Sequence, residues 1–371
     1  MNDERLLSTF LDLVRIDSPT GSEAAVASFV AYRLEQLGFS VRFDDSAEAT
    51  GSDTGNLIAE LVGTAPGVLA FSAHMDCVDP CHGVEPVVSG DTVSTSGETV
   101  LGADDKAGLA AAIEACTRLI ESGEPYPTLK TLFTVQEEVG LVGAKHLSAQ
   151  DAECDLCLVL DAEGAPGAIV IAAPTHYTFS ASFVGRASHA GVAPERGISA
   201  VLMAADAVRR MRLGRLDDAT TANVGTIRGG TATNVIPALV DVTGECRSLH
   251  RPTVEALKAE MEGAMRAAAE SAGGSVDVIW KLEYEGFRYP SDDPLVELVS
   301  AGVHDAGFAP STYPTGGGSD ANVLAGMGVP VLAMACGMSG VHSTREQLAI
   351  SDLRAITSIC VAVGRRLAAE V

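Results

Sequence analysis

The sequence is poor in positive charge. It has 25 lysine and arginine residues against 49 aspartate and glutamate residues, which gives a formal net charge of −24 at pH 7. Nucleic acids and anionic membranes attract basic surfaces, so an acidic surface of this strength argues against both as partners. Divalent cations bound by the protein would offset part of the charge locally.

Long apolar runs and an export signal are also missing. No run reaches the ~18 residues that a membrane helix needs. Residues 1–7 show no basic region followed by an apolar core and a cleavage site. We therefore expect a soluble, cytoplasmic protein with no membrane partner.

The cysteines do not form the pattern of a disulfide framework or of a cysteine zinc site. Eight cysteines are scattered along the chain, which is typical of reduced thiols in a cytoplasm. Cys154 and Cys157 form a Cys-x-x-Cys pair, but no second pair completes a zinc cage. They lie in an apolar run, so we interpret them as buried packing residues.

Apolar residues are abundant, at 47% of the 371 residues, which is enough for two domains with sizeable cores. Apolar runs at residues 67–73, 129–135 and 154–160 predict buried strands with helices between them. This alternation predicts an α/β fold. Each run ends in acidic residues or histidine, at the edge where open α/β sheets bind their ligands.

A different pattern occupies residues 174–283. The predicted order there is strand, helix, strand, strand, helix, strand, which is the ferredoxin-like α+β arrangement. The α/β pattern resumes at about residue 284. We therefore predict one domain formed by residues 1–173 and 284–371, with a second domain inserted at residues 174–283.

Imidazole and carboxylate side chains collect at the predicted strand ends and loops. They are His74, Asp76, Asp104, Glu137, Glu138, Asp161 and His342. Such a mixture suits Zn²⁺, with Co²⁺ or Mn²⁺ as substitutes. We expect two metal ions, because a single ion would leave several carboxylates crowded together without a counter-charge.

The stretch Gly102–Gly108 contains two adjacent carboxylates, Asp104 and Asp105, before an alanine-rich run that predicts a helix. The helix dipole favours carboxylates at this end. A plain N-terminal cap, however, needs only one of them. The pair alone is therefore weak evidence for a metal site, and its weight depends on the other strand ends.

Taken together, these motifs resemble the M20 metallopeptidases, and most closely their peptidase T (tripeptide aminopeptidase) branch. The motifs concerned are His74-Met-Asp76, Gly102-Ala-Asp-Asp-Lys-Ala-Gly108, Glu137-Glu138, Asp161, Ser188-His-Ala-Gly191 and His342. The resemblance covers nearly the whole chain. It implies a zinc-peptidase-like catalytic domain with a central mixed sheet flanked by helices. It also implies that the inserted domain is a lid and dimerisation domain of a homodimer.

The resemblance implies a metal-binding role for five residues. His74 and Asp161 would hold one zinc ion, Glu138 and His342 would hold the other, and Asp104 would bridge the two ions. A water molecule between two divalent ions would ionise near neutral pH.

Three neighbouring residues would then support the chemistry. Asp76 would hydrogen-bond His74 and so set its tautomer. Glu137 would be the general base that takes the proton of the water and delivers it to the leaving amine. Asp105 would keep the ordinary role of helix cap and dipole partner.

In the inserted domain, His189 matches a lid histidine that donates to the oxyanion of the tetrahedral intermediate. Asn234 and Arg247 match lid positions that bind substrate, and an arginine fork suits a peptide carboxylate. Gly317 and Gly318 belong to a glycine loop, Gly316-Gly-Gly-Ser-Asp320. Its backbone N–H groups would contact the substrate.

These implications favour a di-zinc aminopeptidase that cleaves short peptides, in the manner of a tripeptidase. An N-acyl amino-acid deacylase or a carboxypeptidase on the same scaffold is the alternative. Asp at position 161 favours the aminopeptidase, because the resemblance associates Glu there with the alternatives. A non-catalytic metal-binding protein is a third possibility, which the presence of Glu137 disfavours.

Overall fold

The computed structural model describes residues 3–370 of the chain. Its contacts divide the chain into two compact units. The first unit contains the chain up to Ile171, Tyr289–Pro314, and the segment from Ser319 onwards. The second unit contains Ala172–Arg288 and Thr315–Gly318. Among the described residues, no helix has the length and apolar character needed to cross a membrane.

The α-helices are α1 Asp3–Val14, α2 Ala24–Gln36, α3 Ser46–Thr50, α4 Ala103–Glu121, α5 Ala149–Ala152, α6 Ala200–Arg210, α7 Arg251–Ser271, α8 Pro294–Asp305, α9 Asp320–Gly326 and α10 Ile350–Glu370. The strands are β1 Ser40–Phe43, β2 Leu57–Leu61, β3 Val68–His74, β4 Val87–Ser89, β5 Thr92–Ser94, β6 Thr128–Thr134, β7 Leu156–Ala162, β8 Ala168–Ala173, β9 Thr175–Val184, β10 Ser188–His189, β11 Gly214–Asp217, β12 Thr220–Gly229, β13 Val235–Ile236, β14 Leu239–Ser248, β15 Ser275–Tyr284, β16 Phe287–Arg288, β17 Ser311–Pro314, β18 Val331–Ala335, β19 Met338–Ser339 and β20 Gln347–Ala349.

The main sheet of the first unit has the strand order β1-β2-β6-β3-β7-β18-β8. Strand β3 runs parallel to β6 and β7, and β7 runs parallel to β18. Strands β1, β2 and β8 add antiparallel pairs at the two sides. Helix α4 packs on β3 and β7, while α9 packs on β18. The predicted mixed sheet flanked by helices is confirmed.

Helix α4 approaches β7 unusually closely. A Cβ atom at Gly108 would lie 2.6 Å from the carbonyl oxygen of Leu160 and 2.4 Å from Oδ1 of Asp105, so only glycine permits this contact. Residues 109–116 that follow are all buried. The small side chains of this run bring the start of α4 against the carboxyl end of β7.

A small separate sheet in the first unit has the order β19-β20-β5-β4. Strands β19 and β20 form an antiparallel pair, and the segment between them carries His342 and Glu346. The sequence does not predict this sheet, because strands of two or three residues are too short to show a periodic pattern.

The second unit has an antiparallel sheet of order β11-β12-β14-β9-β15. Helices α6 and α7 pack on each other, and both pack on β9 and β14. The order of β12, β14, β9 and β15 is that of the ferredoxin-like arrangement, with β11 added at one edge. The core of this unit is a separate cluster that includes Phe179, Phe183, Met203, Met261 and Met265.

Candidate metal centre

The parallel strands bring the predicted residues to one edge of the main sheet. Strand β3 ends at His74 and leads directly into Asp76, strand β6 leads into Glu137 and Glu138, and β7 carries Asp161 near its end. Because β6, β3 and β7 are parallel neighbours, their carboxyl ends meet. The side chains of His74 and Asp76 are buried, so this is not a solvated face.

The carboxylate of Asp104 lies between the two histidines. Its Oδ1 is 3.0 Å from Nε2 of His74, and its Oδ2 is 3.2 Å from Nε2 of His342. Each oxygen thus faces a different imidazole. A carboxylate that uses its two oxygens in this way can bridge two metal ions.

The Nε2 atom of each histidine has one further carboxylate beside it. Oδ1 of Asp161 is 3.8 Å from Nε2 of His74, and Oε2 of Glu138 is 3.0 Å from Nε2 of His342. The five predicted ligands therefore come together as two halves that share Asp104. Their roles as ligands stay a prediction.

Asp105 is buried beneath this group. Its Oδ1 accepts the N–H of Gly108 at 3.0 Å, and its Oδ2 accepts the N–H of His74 at 3.3 Å. The first bond is that of a helix N-cap, because residues 104 and 105 have non-helical backbone angles and the regular helix begins after them. The predicted capping role is confirmed. Ligand atoms of Asp105, His74 and Asp161 also lie within 4.8 Å of one another.

Asp76 supports both His74 and the segment that carries Glu137. Nδ1 of His74 lies 3.0 Å from the backbone oxygen of Asp76 and 3.4 Å from its Oδ1. These contacts favour a proton on Nδ1, which leaves Nε2 as the metal-facing atom. The Asp76 carboxylate also accepts the N–H groups of Glu137, at 2.9 Å, and Glu138, at 3.3 Å.

The charges at this edge are poorly compensated without a cation. Burial, together with the nearby carboxylates of Asp320, Glu138 and Asp104, raises the pKa of Glu137 well above its usual range. Burial and Asp104 likewise raise the pKa of Asp161. Burial also opposes ionisation of Asp104, but hydrogen bonds from His342 and His74 outweigh it and lower that pKa.

The residues present fit divalent metal ions. Oε1 of Glu138 is buried and has no hydrogen-bond partner among residues 3–370, which the structure describes, although buried carboxylate oxygens are normally satisfied. The donor set combines imidazole and carboxylate groups, as zinc sites do. Cations held between these groups would supply the counter-charge that the crowded carboxylates need.

Three buried carboxylates beside the centre were not predicted from the sequence. Glu346 accepts the N–H groups of Gly102, at 2.7 Å, and Asp104, at 2.9 Å. Glu23 accepts the N–H of Gln136, and Asp320 accepts the hydroxyl of Thr134 at 2.5 Å. A possible signal was their position after turn residues, as in Gly-Ser-Glu23 and Gly-Gly-Ser-Asp320, but many surface turns share that feature.

The predicted lid residues lie in the second unit, in two groups. His189 on β10 pairs with Val235 on β13, and the backbone oxygen of Asn234 accepts the N–H of Ala190 at 2.9 Å. His189 and Asn234 are therefore close in the fold, and both are exposed. Their roles stay predictions.

The second group surrounds Arg247 on β14. Nε of Arg247 forms an ion pair with Glu245 at 2.5 Å, and its Nη1 lies 3.4 Å from the hydroxyl of Tyr284. A Cβ atom at Gly318 would lie only 2.2 Å from Cζ of Tyr284. Gly317 is the neighbour of Gly318 in the same exposed loop. The arginine is held in place by its partners, and glycine is required where the loop contacts the tyrosine.

His342 gives the centre a measurable pH dependence. Hydrogen bonds with Asp104 and Glu138 raise the pKa of His342 to about 10. A divalent ion held by His342 would need the neutral imidazole, so its binding near neutral pH would release a proton. For the zinc ion assigned to Glu138 and His342, we expect the apparent affinity to rise roughly tenfold per pH unit between about pH 7 and 9. Calorimetric titrations in buffers of different ionisation enthalpy would count the protons.

On binding zinc, the His342→Ala variant should release one proton fewer than the parent. The control His82→Ala, which changes a histidine on an exposed loop, should release as many protons as the parent. The stability of the metal-free protein should show the opposite trend. Because folding raises the pKa of His342, its contribution is complete below about pH 6.5. That contribution is lost as the pH rises through about 10. A pH-independent affinity for zinc would contradict the assignment of His342.

The chain has known relatives over nearly its whole length. The sequence profile of peptidase family M20/M25/M40 matches residues 70–365. The fold matches the aminopeptidase PepT from Bacillus cereus ATCC 10987 with a TM-score of 0.92 and 40% identity over 99% of each chain. It matches a tripeptidase from Staphylococcus aureus subsp. aureus Mu50 with a TM-score of 0.95 and 33% identity over 100% of each chain.

Carboxypeptidase G2 from Pseudomonas sp. (strain RS-16) is 28% identical over 366 residues, which covers 95% of this chain and 86% of that protein. The profile match spans most of the chain, and the two structures are similar in both fold and sequence. The chain therefore belongs to peptidase family M20/M25/M40 and is a metallopeptidase.

Proposed function

We propose that this peptidase is an aminopeptidase for short peptides, of the tripeptidase type, which works with two zinc ions. The observation that carries the proposal is the position of Asp104, whose two oxygens face His74 and His342 separately. The similarity to an aminopeptidase and to a tripeptidase, at 40% and 33% identity, supports the substrate class.

In this proposal His74 and Asp161 would hold one zinc ion, Glu138 and His342 would hold the other, and Asp104 would be shared by both. Co²⁺ or Mn²⁺ would be able to replace zinc at such ligands. Bound ions of this kind lower the pKa of a water molecule to near neutral and polarise a carbonyl group. The chain then has to orient the peptide and move one proton.

Glu137 moves that proton. As the general base it accepts a proton from the attacking water and then delivers it to the amine of the leaving group. Burial raises the pKa of Glu137, and a raised pKa makes a carboxylate a stronger proton acceptor. Asp76 accepts the N–H of Glu137 and so fixes the base in position.

The second unit binds the peptide. His189 donates a hydrogen bond to the oxyanion of the tetrahedral intermediate, and Asn234 contacts the substrate backbone. Arg247 binds the peptide carboxylate through its planar fork. Backbone N–H groups of Gly317 and Gly318 add further hydrogen bonds to the substrate.

We further propose that the protein is a homodimer through its second unit and that it is cytoplasmic. Val184, Leu239 and Ile279 are exposed apolar side chains on one face of the sheet of that unit, and they support a contact with a second copy. All eight cysteines are free thiols, which supports a reducing compartment.

The substrate class is tested with matched peptides. We expect kcat/KM for free-amine tripeptides to be at least about 100-fold higher than kcat/KM for their N-acetyl analogues. An acetylated N-terminus cannot pair with the polar groups of a site that binds a free amine. Release of the N-terminal amino acid, followed by mass spectrometry, is the measurement. Amidated tripeptides report on the carboxylate contact of Arg247.

A deacylase or carboxypeptidase is the second candidate, favoured by the 28% identity to carboxypeptidase G2. It predicts the reverse preference. Hydrolysis of N-acylated substrates alone would refute the aminopeptidase. Release of the C-terminal residue from free tripeptides would point to the carboxypeptidase.

A further inference from the structure

The segment that carries the base and one ligand has a strained start. Gln136, directly before Glu137 and Glu138, has a φ of 52°. That left-handed conformation is unfavourable for residues other than glycine. Surrounding contacts must therefore hold Gln136, and any loosening would turn the two glutamates that follow it.

A buried carboxylate from a distant part of the chain supplies one of these contacts. Glu23, which is 0% exposed, accepts the N–H of Gln136 at 3.2 Å and the N–H of Gly21 at 2.7 Å with the same oxygen, Oε1. Its other oxygen accepts the hydroxyl of Ser52. The side chain of Gln136 donates to the backbone oxygen of Thr50 at 3.2 Å.

Residues just before Glu23 contact the other loops of the centre. The backbone oxygen of Ser18 accepts the N–H of Cys77 at 2.8 Å, and Thr20 donates to Asp76 at 2.8 Å. The backbone oxygen of Ile16 accepts the ammonium of Lys106 at 2.7 Å. The 16–23 segment therefore touches each loop that carries predicted ligands before residue 140.

We propose that Glu23 is a positioning residue, which orients Glu137 and Glu138 by accepting the N–H of Gln136. The inference rests on the proposed roles of those two glutamates. The function of Glu23 is geometric, since its oxygen is needed as an acceptor at a fixed distance. Its negative charge is dispensable.

Two substitutions separate geometry from charge. Glu23→Gln keeps an oxygen in the place of Oε1, and the Ser52 hydroxyl can accept from the new amide. Glu23→Asp keeps the charge but withdraws the oxygen by one carbon–carbon bond. We expect Glu23→Gln to stay within about twofold of the parent, and Glu23→Asp to lose roughly 10–100-fold in kcat and in zinc affinity, as partners of metal-site residues do. The KM should change little.

Zinc affinity is measured by calorimetry on the metal-free proteins. The kcat and KM values are measured with a free-amine tripeptide, and folding is followed by thermal melts. Ser52→Ala is the matched control, because it removes the contact of the other oxygen. It should lower the melting temperature and leave at least half of kcat. The proposal is overturned if the Glu23→Asp variant has the kcat and zinc affinity of the parent. It is also overturned if the Glu23→Gln variant loses as much of both as the Glu23→Asp variant.

If the Glu23→Asp variant does not fold, the Glu23→Gln variant tests the proposal by itself. A loss of kcat and zinc affinity in Glu23→Gln is enough to contradict a geometric role. Failure of the proposed function has a different signature. A parent inactive on free-amine tripeptides refutes the aminopeptidase, while the difference in zinc affinity between the two Glu23 variants still tests the positioning role.

Discussion

Glu137→Gln should lower kcat by about 10²–10⁴-fold, which is the usual contribution of general acid–base catalysis. Glutamine has the shape of glutamate but cannot accept the proton of the attacking water. Because Glu137 is not among the proposed ligands, the variant should bind as much zinc as the parent. The substitution also removes the repulsion of the Glu137 carboxylate by Asp320, Glu138 and Asp104, so the thermal stability of the variant should not fall.

The measurement pairs steady-state kinetics on a tripeptide with the metal content of each protein. Glu163→Gln is the matched control, because it makes the same substitution at an exposed residue two positions beyond Asp161. A Glu137→Gln variant as active as the parent would refute the assigned base. A parent without activity on any peptide or N-acyl substrate would favour the non-catalytic metal-binding protein.

Asp104→Asn and Asp105→Asn should have opposite outcomes, although the residues are adjacent. In Asp104→Asn the amide nitrogen cannot bind a metal ion, so one of the two histidines loses its shared carboxylate. We expect the zinc content to fall from two ions to one per chain. We expect kcat to fall at least about 100-fold, since a two-metal site acts as a unit.

In Asp105→Asn the amide oxygen can still accept the N–H of Gly108, and asparagine caps helices about as well as aspartate. The lost contact with the N–H of His74 should cost about 1 kcal/mol of stability, with two zinc ions retained. Elemental analysis after dialysis against buffer decides between the two outcomes. The reverse result would make Asp105, His74 and Asp161 the operative metal group.

The position of the centre could be predicted because each parallel strand carries its own evidence. Strands β3, β6 and β7 are buried on both faces. β3 and β7 appear in the sequence as nearly continuous apolar runs, whereas β6 is apolar only at Leu129, Leu132 and Phe133. An ionisable residue directly after such a run must lie at the sheet edge. His74, Glu137 and Asp161 can be grouped on that basis from the sequence alone.

The supporting residues could not be predicted in the same way. Glu23 and Glu346 act by accepting backbone N–H groups from segments far away in the chain, and no local pattern marks such an acceptor. The left-handed Gln136 is equally hidden, because nothing in the sequence near Gln136 favours that conformation. Tertiary contacts hold this turn against the local preference.

The small sheet of β4, β5, β19 and β20 was missed for a related reason. Its strands are two or three residues long, so only their pairing makes them strands. This pairing places His342, which is half exposed, on a segment whose position could not be derived from periodicity. The residues alone mark His342 only as one of the candidate loop side chains, and its assignment to one of the two zinc ions comes from the resemblance to a known family.

The place of β18 in the main sheet has a consequence for how the enzyme is made. β18 lies between β7 and β8, yet a ribosome reaches it only after the second unit has been synthesised. His342 and Glu346 come later still. A nascent chain can therefore assemble at most the half of the centre around His74 and Asp161, with β7 and β8 left as open edges. With the proposed ligands, peptidase activity would require a chain that extends through His342, and an interrupted translation product would expose unpaired strand edges without an assembled centre.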